Sequence, residues 1–340
     1  MNSARPLEII GGGLAGLALA GALRRGGAAV TLFEAGDYPR HRVCGEFIAG
    51  LSARTSDRLG LGPVLADALR HREVAWCRDG SPIAFQPLPA PALGLSRHAL
   101  DERLARAFAA AGGDLRTRVR VTDLAPRPGR IFATGRRPGR SGWLGLKLHA
   151  LGLPLRRDLE VHLGDDAYVG LSAVENGRVN VCGLFRRRRL DAKGALLLPA
   201  YLRAAGLHAL ADRLARAETD PESFCAVAAV AFDRRVPAQS RVCLGDACAM
   251  IPPFTGNGMA MAFQSAEAAL DPLLAYADGR TGWPDAREAI HAALKQRFRL
   301  RLASAGALHP YLLRPLRQRW LMAMTRAHLL PLRPLYAVMH

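Results

Sequence analysis

The 340-residue sequence predicts an α/β protein in three parts. A Rossmann-like domain with a parallel sheet is assembled from separate segments, an antiparallel sheet is inserted into it, and helices close the chain. Three observations carry this expectation. IIGGGLAGLALAGALRRGGAAVTLFEAG, residues 9–36, reads as strand, glycine turn, helix and strand. Alternating apolar and polar runs between Trp143 and Phe185 meet at Asn176-Gly177, the strongest short-range hairpin signal, since both residues tolerate positive φ. The last fifty residues mix leucine, arginine and proline in helical spacing.

Each element follows from its local pattern. Leu7 to Ile10 is a short apolar run, Gly11 to Gly16 the turn, and Leu17 to Arg25 an alanine- and leucine-rich helix that Gly26-Gly27 ends. Ala28 to Phe33 reads as the second strand. Leu100, Leu104 and Phe108 recur every four residues, which predicts a helix over His98–Ala111; Val119–Leu124 and Ile131–Thr134 read as strands. Leu196–Arg216 reads as helical. Cys225–Phe232 and Arg241–Leu244 read as strands returning to the first domain, and Met259–Tyr276 as a long helix. The expected boundaries are 1–75, 96–142 and 233–285 for the cofactor domain, 76–95 and 143–232 for the antiparallel domain, and 286–340 for the helical segment.

Composition narrows the function classes. The formal charge is +18, but only three of the 47 basic residues are lysines (Lys147, Lys193, Lys295), and the arginines are spread along the whole chain. Nucleic-acid binders concentrate charge on one face among aromatics, and aromatics are only 6% here, so no nucleic-acid partner is expected. The six cysteines show no C-x-x-C pair and no zinc spacing, which fits a reducing cytoplasm and predicts no metal. Glu8 interrupts the apolar start, so it is not read as a signal peptide, and no run suits a membrane span.

The glycine turn carries the first chemistry. Gly11 permits the bend, Gly13 lets backbone approach a pyrophosphate, and Gly16 lets helix pack closely on strand. Leu14 and Ala15 lie within this turn, and the start of the helix that follows offers free N–H groups and a dipole that favour negative charge. Glu34, 18 residues after Gly16 and followed by Ala35, ends the second strand, where its carboxylate can accept both ribose hydroxyls. NAD and FAD both fit this much. The stretch CLGDACAMIPPFTGNGMAMAFQSAEAA, Cys243 to Ala269, discriminates. Gly245-Asp246 ends a strand where an acid can hold a ribityl hydroxyl. Gly256 and Gly258 then start a helix, beside Met259, whose N–H groups can stabilise charge on a flavin pyrimidine. A plain NAD enzyme has no use for this second corner, and FAD is the expected cofactor.

These motifs, with RVCGE at Arg42–Glu46 and SRHALDERL at Ser96–Leu104, resemble the flavoproteins of the geranylgeranyl reductase and aromatic hydroxylase superfamily. The resemblance covers most of the chain through about residue 275. It implies a glutathione reductase-type FAD domain in which Ala15, Glu34, Arg42, Cys44, Gly45, Arg97 and the Val121 backbone contact FAD. Asp246 would take the ribityl chain, with Gly258 and Met259 beside the ring. Thr134 stands where hydroxylases carry the aspartate linked to FAD and NAD(P)H, a departure that counts against docking of a nicotinamide donor, although NAD(P)H is kept among the candidate transient electron donors. Gly170 and Ser172-Ala173 stand where archaeal reductases place a tryptophan and a Phe-Pro, so the substrate cavity differs.

Four residues are catalytic candidates. Cys44 and Glu46 lie beside the expected flavin, as a thiol or buried acid able to give a proton, or as packing and capping residues. Lys147 and His149 share one strand face opposite Leu144, Leu146 and Leu148, lining the cavity or facing solvent. Leu308–His340 combines bulky apolar residues with spaced arginines, as a lid on the core or a segment lying on a membrane surface. The expected function is an FAD-dependent oxidoreductase acting on a lipophilic skeleton of prenyl, acyl or polyketide type. The alternatives are an aromatic hydroxylase using NAD(P)H and O2, and a flavin-binding protein without turnover.

Overall fold

Leu7–Ile10 forms β1 at the centre of a parallel sheet in the computed structural model, which describes residues 5–78, 80–136, 139, 141–230, 232, 239–253, 256–313, 315–326 and 329. Gly11 turns the chain at φ +109°, where a side chain would collide with the Ala133 carbonyl. The helix α1, Leu14–Arg25, then runs back to β2, Val30–Phe33, which pairs in parallel with β1 from Leu7↔Val30 to Ile10↔Phe33. Leu14 to Leu23 are all buried, because α1 lies between the sheet and two further helices. Arg24 and Arg25 leave the core at the end where cations complement the helix dipole.

The chain next crosses to a second sheet through β3 (Phe47–Ile48), the short helices α2 (Ala53–Arg58) and α3 (Gly62–Leu65), β4 (Leu69–Arg78) and β5 (Ser81–Gly94). It returns with α4 (Arg97–Ala110), β6 (Asp114–Arg116) and β7 (Arg130–Phe132). A second excursion comprises β8 (Trp143–Leu151), β9 (Leu159–Gly164), β10 (Ala167–Ala173), β11 (Arg178–Arg186), α5 (Leu197–Ala204), α6 (His208–Ala215) and β12 (Glu218–Ala228). Finally β13 (Val242–Cys243) rejoins the parallel sheet, followed by α7 (Gly258–Ala277), α8 (Trp283–Leu313) and α9 (Pro315–Arg326).

The parallel sheet has the order β13-β7-β1-β2-β6. The eight-stranded sheet runs β12-β8-β11-β10-β9-β4-β5-β3, and all its pairs are antiparallel except β4 with β9. One face of it is closed by α5 and α6: Leu146, Leu148, Val169, Leu171 and Val181 pack with Leu198, Leu202 and Leu210. Each such buried side chain stabilises the fold by roughly 1.5–3 kcal/mol. Strand alternation therefore turns Lys147 and His149 to the opposite face, toward the parallel-sheet domain.

Several elements differ from the sequence expectation. Val119–Leu124 is no strand: it is an exposed irregular stretch, tied to β2 by Val119 N–H to Glu34 O at 2.9 Å, and Asp114–Arg116 takes the edge position. Leu196–Arg216 is two helices, because Gly206 at φ +74° breaks the run. The expectation that Cys225–Phe232 returns to the first domain is corrected: β12 pairs with β8 and forms an edge of the antiparallel sheet. Residue 231 lies outside the described residues. Val242–Cys243 does rejoin the parallel sheet, on β7. The C-terminal region is dominated by one 31-residue helix, α8, and its final residues 330–340 lie outside the described residues.

Candidate functional site

The two glycine corners meet. A Cβ placed on Gly245 would lie 3.2 Å from the Ala15 side chain, and α7 packs along α1. Gly13 is the N-cap of α1 with no side-chain cap, no acid follows in the first turn, and a Cβ at Gly13 would meet nothing within 4 Å. The same open space lies over Gly258 at the start of α7. Gly16 is the opposite case, since any side chain there would overlap Gly11 O. Both helix starts therefore present free N–H groups to open space, which suits anionic and polar parts of one elongated ligand.

Glu34 is buried beside the first corner. Its Oε2 accepts from Gly12 N–H at 2.8 Å, and its Oε1 from Gly36 N–H at 2.8 Å and the Arg40 guanidinium at 2.6 Å. Burial pushes its pKa up, but these donors and the Arg42 charge outweigh it and hold the carboxyl below its usual range. Three of its roughly four acceptor positions are taken, so a ribose diol must share with or displace the partly exposed Arg40. Tyr38 OH donates to Gly12 O at 2.6 Å and closes this end. Ala35 continues from the Glu34 turn, and Val121 packs against Ile10, Phe132, Cys243 and Ala247 at the ends of the parallel strands.

A charge chain links the corners. Arg42 lies 3.9 Å from Glu34 and donates to Asp101 at 3.0 Å; Arg97 donates to Asp101 at 2.7 Å. Arg97 also hydrogen-bonds the Cys44 side chain and lies near Asp246. Asp246 is exposed to solvent yet closely surrounded by protein, the situation of a group inside a cleft, and desolvation raises its pKa against the pull of Arg97 and Arg136. Burial likewise pushes the Cys44 thiol up, so it stays protonated at neutral pH. Gly256 and Met259 complete the second corner, where a Cβ on Gly256 would strike the Phe47 ring, and Met259 is buried in the main core.

The third group lies where RVCGE meets the open face of the antiparallel sheet. Glu46 sits at φ +57°, a strained conformation for a residue with a side chain, and is fully buried. Its Oε2 lies 2.5 Å from His149 Nε2, its Oε1 3.4 Å from Lys147 Nζ and 3.0 Å from the Arg97 N–H. Burial raises its pKa, but the His149 hydrogen bond and the Lys147 charge bring it below the usual value. Lys147 Nζ also meets His41 Nδ1 at 3.0 Å, and His41 stacks on His98 with centroids 4.5 Å apart. Burial and then the Lys147 charge drive the His41 pKa down to about 4. Asn180 Nδ2 donates to Cys44 O at 3.0 Å, Ser172 Oγ to Gly45 O at 2.7 Å.

Register turns this face into three rows. Asp220, His149, Asn180 and Ser172 oppose one another across β12, β8, β11 and β10, and the last three grip the Cys44–Glu46 corner. Cys225, Lys147, Cys182, Gly170 and Val161 form the second row. Val227, Gly145, Leu184, Tyr168 and Leu163 form the third, roofed by Leu312 and Leu313 of α8. Polarity falls steadily away from the corner. In the middle row Gly170, Cys182 and Val161 stay half-exposed, and a Cβ on Gly170 would meet nothing closer than 3.9 Å.

The structure thus brings Cys44, Glu46, Lys147 and His149 together, and buries the last two rather than exposing them to solvent. Sequence reasoning missed His41, Asp101 and Asn180. The i,i+4 spacing of Arg97 and Asp101 was a usable signal for one of them; the pairing of Asn180 with His149 depends on strand register and had none. Two groups of metal-type ligands fall within 4.8 Å, His41–His149–Asp220 and Cys77–Glu160–His162. The Lys147 ammonium abuts the first and Arg213, 2.8 Å from Glu160, the second, so each already holds a cation. Among the described residues no helix is long and apolar enough to cross a membrane.

A family of NAD(P)-binding Rossmann-like domains matches residues 9–55. A menaquinone reductase of Mycolicibacterium smegmatis is 26% identical over 129 residues, which is 36% of this chain and 31% of that protein's length. The chain is also similar in structure to p-nitrophenol 4-monooxygenase PnpA of Pseudomonas putida DLL-E4, with a TM-score of 0.77, 15% identity, and coverage of 100% of this chain and 97% of that one. PqsL of Pseudomonas aeruginosa, a probable FAD-dependent monooxygenase, gives a TM-score of 0.71 at 17% identity over 93% of this chain and 98% of that one. At these identities the likeness establishes the fold.

Proposed function

We propose that this chain, which has the fold of the FAD-dependent oxidoreductases, holds FAD across its two glycine corners and acts on a lipophilic carbon skeleton of prenyl, acyl or polyketide type. FAD supplies hydride and electron transfer when bound. The chain's own residues do the rest. Glu34 takes the ribose, the α1 start the pyrophosphate, Asp246 the ribityl chain and the Gly258–Met259 start the ring edge. The Cys44–Glu46 corner lies where the antiparallel sheet covers the reactive side, and its protonated thiol and paired carboxylate keep that side free of uncompensated charge.

One observation carries the substrate class: the sheet face facing the corner grades from polar (His149, Asn180, Ser172) to apolar (Val227, Leu184, Leu163). A ligand with a polar reacting end and a greasy body matches that grading, and the half-exposed Gly170 leaves room for it. The partial likeness to a menaquinone reductase, whose name denotes a lipophilic substrate, points the same way. On α9, Leu316 and Trp320 are exposed one turn apart beside Arg317 and Arg319, which suits peripheral contact with an anionic membrane surface.

A second reading is aromatic hydroxylation with NAD(P)H and O2, favoured by the near-complete structural overlap with PnpA. Anaerobic mixing of the purified protein with NADH and NADPH, then with oxygen, separates the two. Turnover of a lipophilic acceptor under nitrogen supports the reductase reading. Substrate-triggered oxygen uptake with a hydroxylated product replaces it by the hydroxylase. A purified protein that is colourless and refuses FAD overturns both.

A further inference from the structure

His149 and Asn180 are directly opposed across β8 and β11, so they share a face with Cβ atoms about 4.5–5.5 Å apart. The Asn180 amide is oriented by its Nδ2 bond to Cys44 O, which makes Oδ1 an acceptor. Facing a carboxylate, His149 Nε2 is the donor in its contact with Glu46, and the neutral form of the ring then carries its lone pair on Nδ1. Both Asn180 Oδ1 and His149 Nδ1 are buried, and neither has a hydrogen-bond partner among the described residues. An unmet buried polar atom costs about 1–3 kcal/mol. These two unmet acceptors on opposed residues call for donors: a water can serve both, whereas a hydroxyl, with its single proton, serves one.

We propose that His149 Nδ1 is the acceptor for a hydroxyl proton, from the substrate or from a water that also donates to Asn180 Oδ1, and that His149 exchanges a proton with it. The inference rests on the oxidoreductase reading for its purpose and on the two opposed side chains for its geometry. In the exchange the donor O–H bond breaks, an Nδ1–H bond forms and the electron pair stays on oxygen; the reverse step returns the proton. Glu46 balances the imidazolium charge, as a carboxylate does for an imidazole it orients. The other groups facing the ring are Lys147 on the same strand, Asp220 on β12, and His41 from the loop before RVCGE, edge-on at 5.2 Å between ring centroids. Ser223 Oγ accepts the His149 backbone N–H at 2.8 Å and leaves the ring free.

The test is imidazole nitrogen NMR of the FAD-loaded protein with 15N-labelled histidine, using His149→Gln to assign the signal and p-nitrophenol as hydroxyl probe. The expected result is a ring proton on Nε2 and a hydrogen-bonded lone pair on Nδ1. A substrate-type hydroxyl is indicated if p-nitrophenol shifts the Nδ1 signal and its bound form ionises about tenfold more readily than in His149→Gln. A water is indicated if Nδ1 is hydrogen-bonded and indifferent to the probe. Asn180→Leu weakens the water signature. A proton on Nδ1 in the probe-free protein, with or without one on Nε2, or an Nδ1 without a hydrogen bond in both states, overturns the proposal. The visible spectrum of the same sample reports FAD separately, so a colourless protein sinks the oxidoreductase reading and a yellow one with the wrong tautomer sinks only this inference.

Discussion

Glu46 Oε2 lies 2.5 Å from His149 Nε2, although 103 positions separate the two residues in the chain. The contact joins a strained corner of the cofactor domain to the middle of an eight-stranded sheet. It is fully buried on both sides, and Lys147 and the Arg97 N–H complete the carboxylate's surroundings. Removing one member of such a cluster leaves an uncompensated charge in the interior. Glu46→Gln is therefore expected to lower unfolding free energy by about 3–5 kcal/mol, read as a fall in the urea midpoint. Glu46→Gln combined with Lys147→Met is expected to recover most of that loss. An additive double variant would mean that the pair does not act as a unit.

Gly13 offers a cleaner test of the cofactor cradle. A Cβ there meets no protein atom within 4 Å, so Gly13→Val fits the folded chain and costs about 1 kcal/mol or less at an N-cap. It projects into the space over the α1 start. The variant is expected to keep its melting temperature without ligand and to lose FAD on gel filtration, measured by the ratio of visible to ultraviolet absorbance. Retained FAD would place the pyrophosphate elsewhere.

Acid sensitivity should report on His41. Its folded pKa of about 4 lies below the unfolded value of about 6.5, so the unfolded chain binds more protons in between. Stability is thus fully present above pH 6.5 and declines as pH falls toward 4. Glu46, whose carboxyl is also held down, adds to the decline below its ordinary range. In His41→Phe the part of the slope between pH 6.5 and 4.5 is expected to flatten in urea titrations, and an unchanged slope would assign it to other groups.

Gly170 controls the width of the open sheet face. A Cβ on Gly170 meets nothing closer than 3.9 Å and the position is half-exposed, so in Gly170→Leu FAD content and melting temperature are expected to stay near those of the parent. Binding of a long-chain quinone, followed by quenching of flavin or tryptophan fluorescence, is expected to weaken about tenfold or more, while a short quinone is less affected. Equal effects on both would place the chain-binding surface elsewhere.

Much of this was legible in the chain alone. Residues 9–36 dictated β1, the glycine turn, α1 and β2, because helix, strand and turn periodicities are local and the glycines are demanded by backbone geometry. The Asn176-Gly177 hairpin and the return strand at Val242–Cys243 were equally readable. Val119–Leu124 was misread because Asp114–Arg116, not this run, takes the place beside β2, and Cys225–Phe232 because strand pattern does not say which sheet receives it. The strand–turn–helix at each glycine corner, and the face on which Lys147 and His149 stand, were set by sequence periods of two and 3.6 residues. What only the tertiary structure decided is who meets whom: Glu46 with His149, Asn180 with Cys44, Arg97 between Asp101 and Asp246. Those meetings depend on strand register and on the docking of two sheets, long-range geometry that no local pattern encodes.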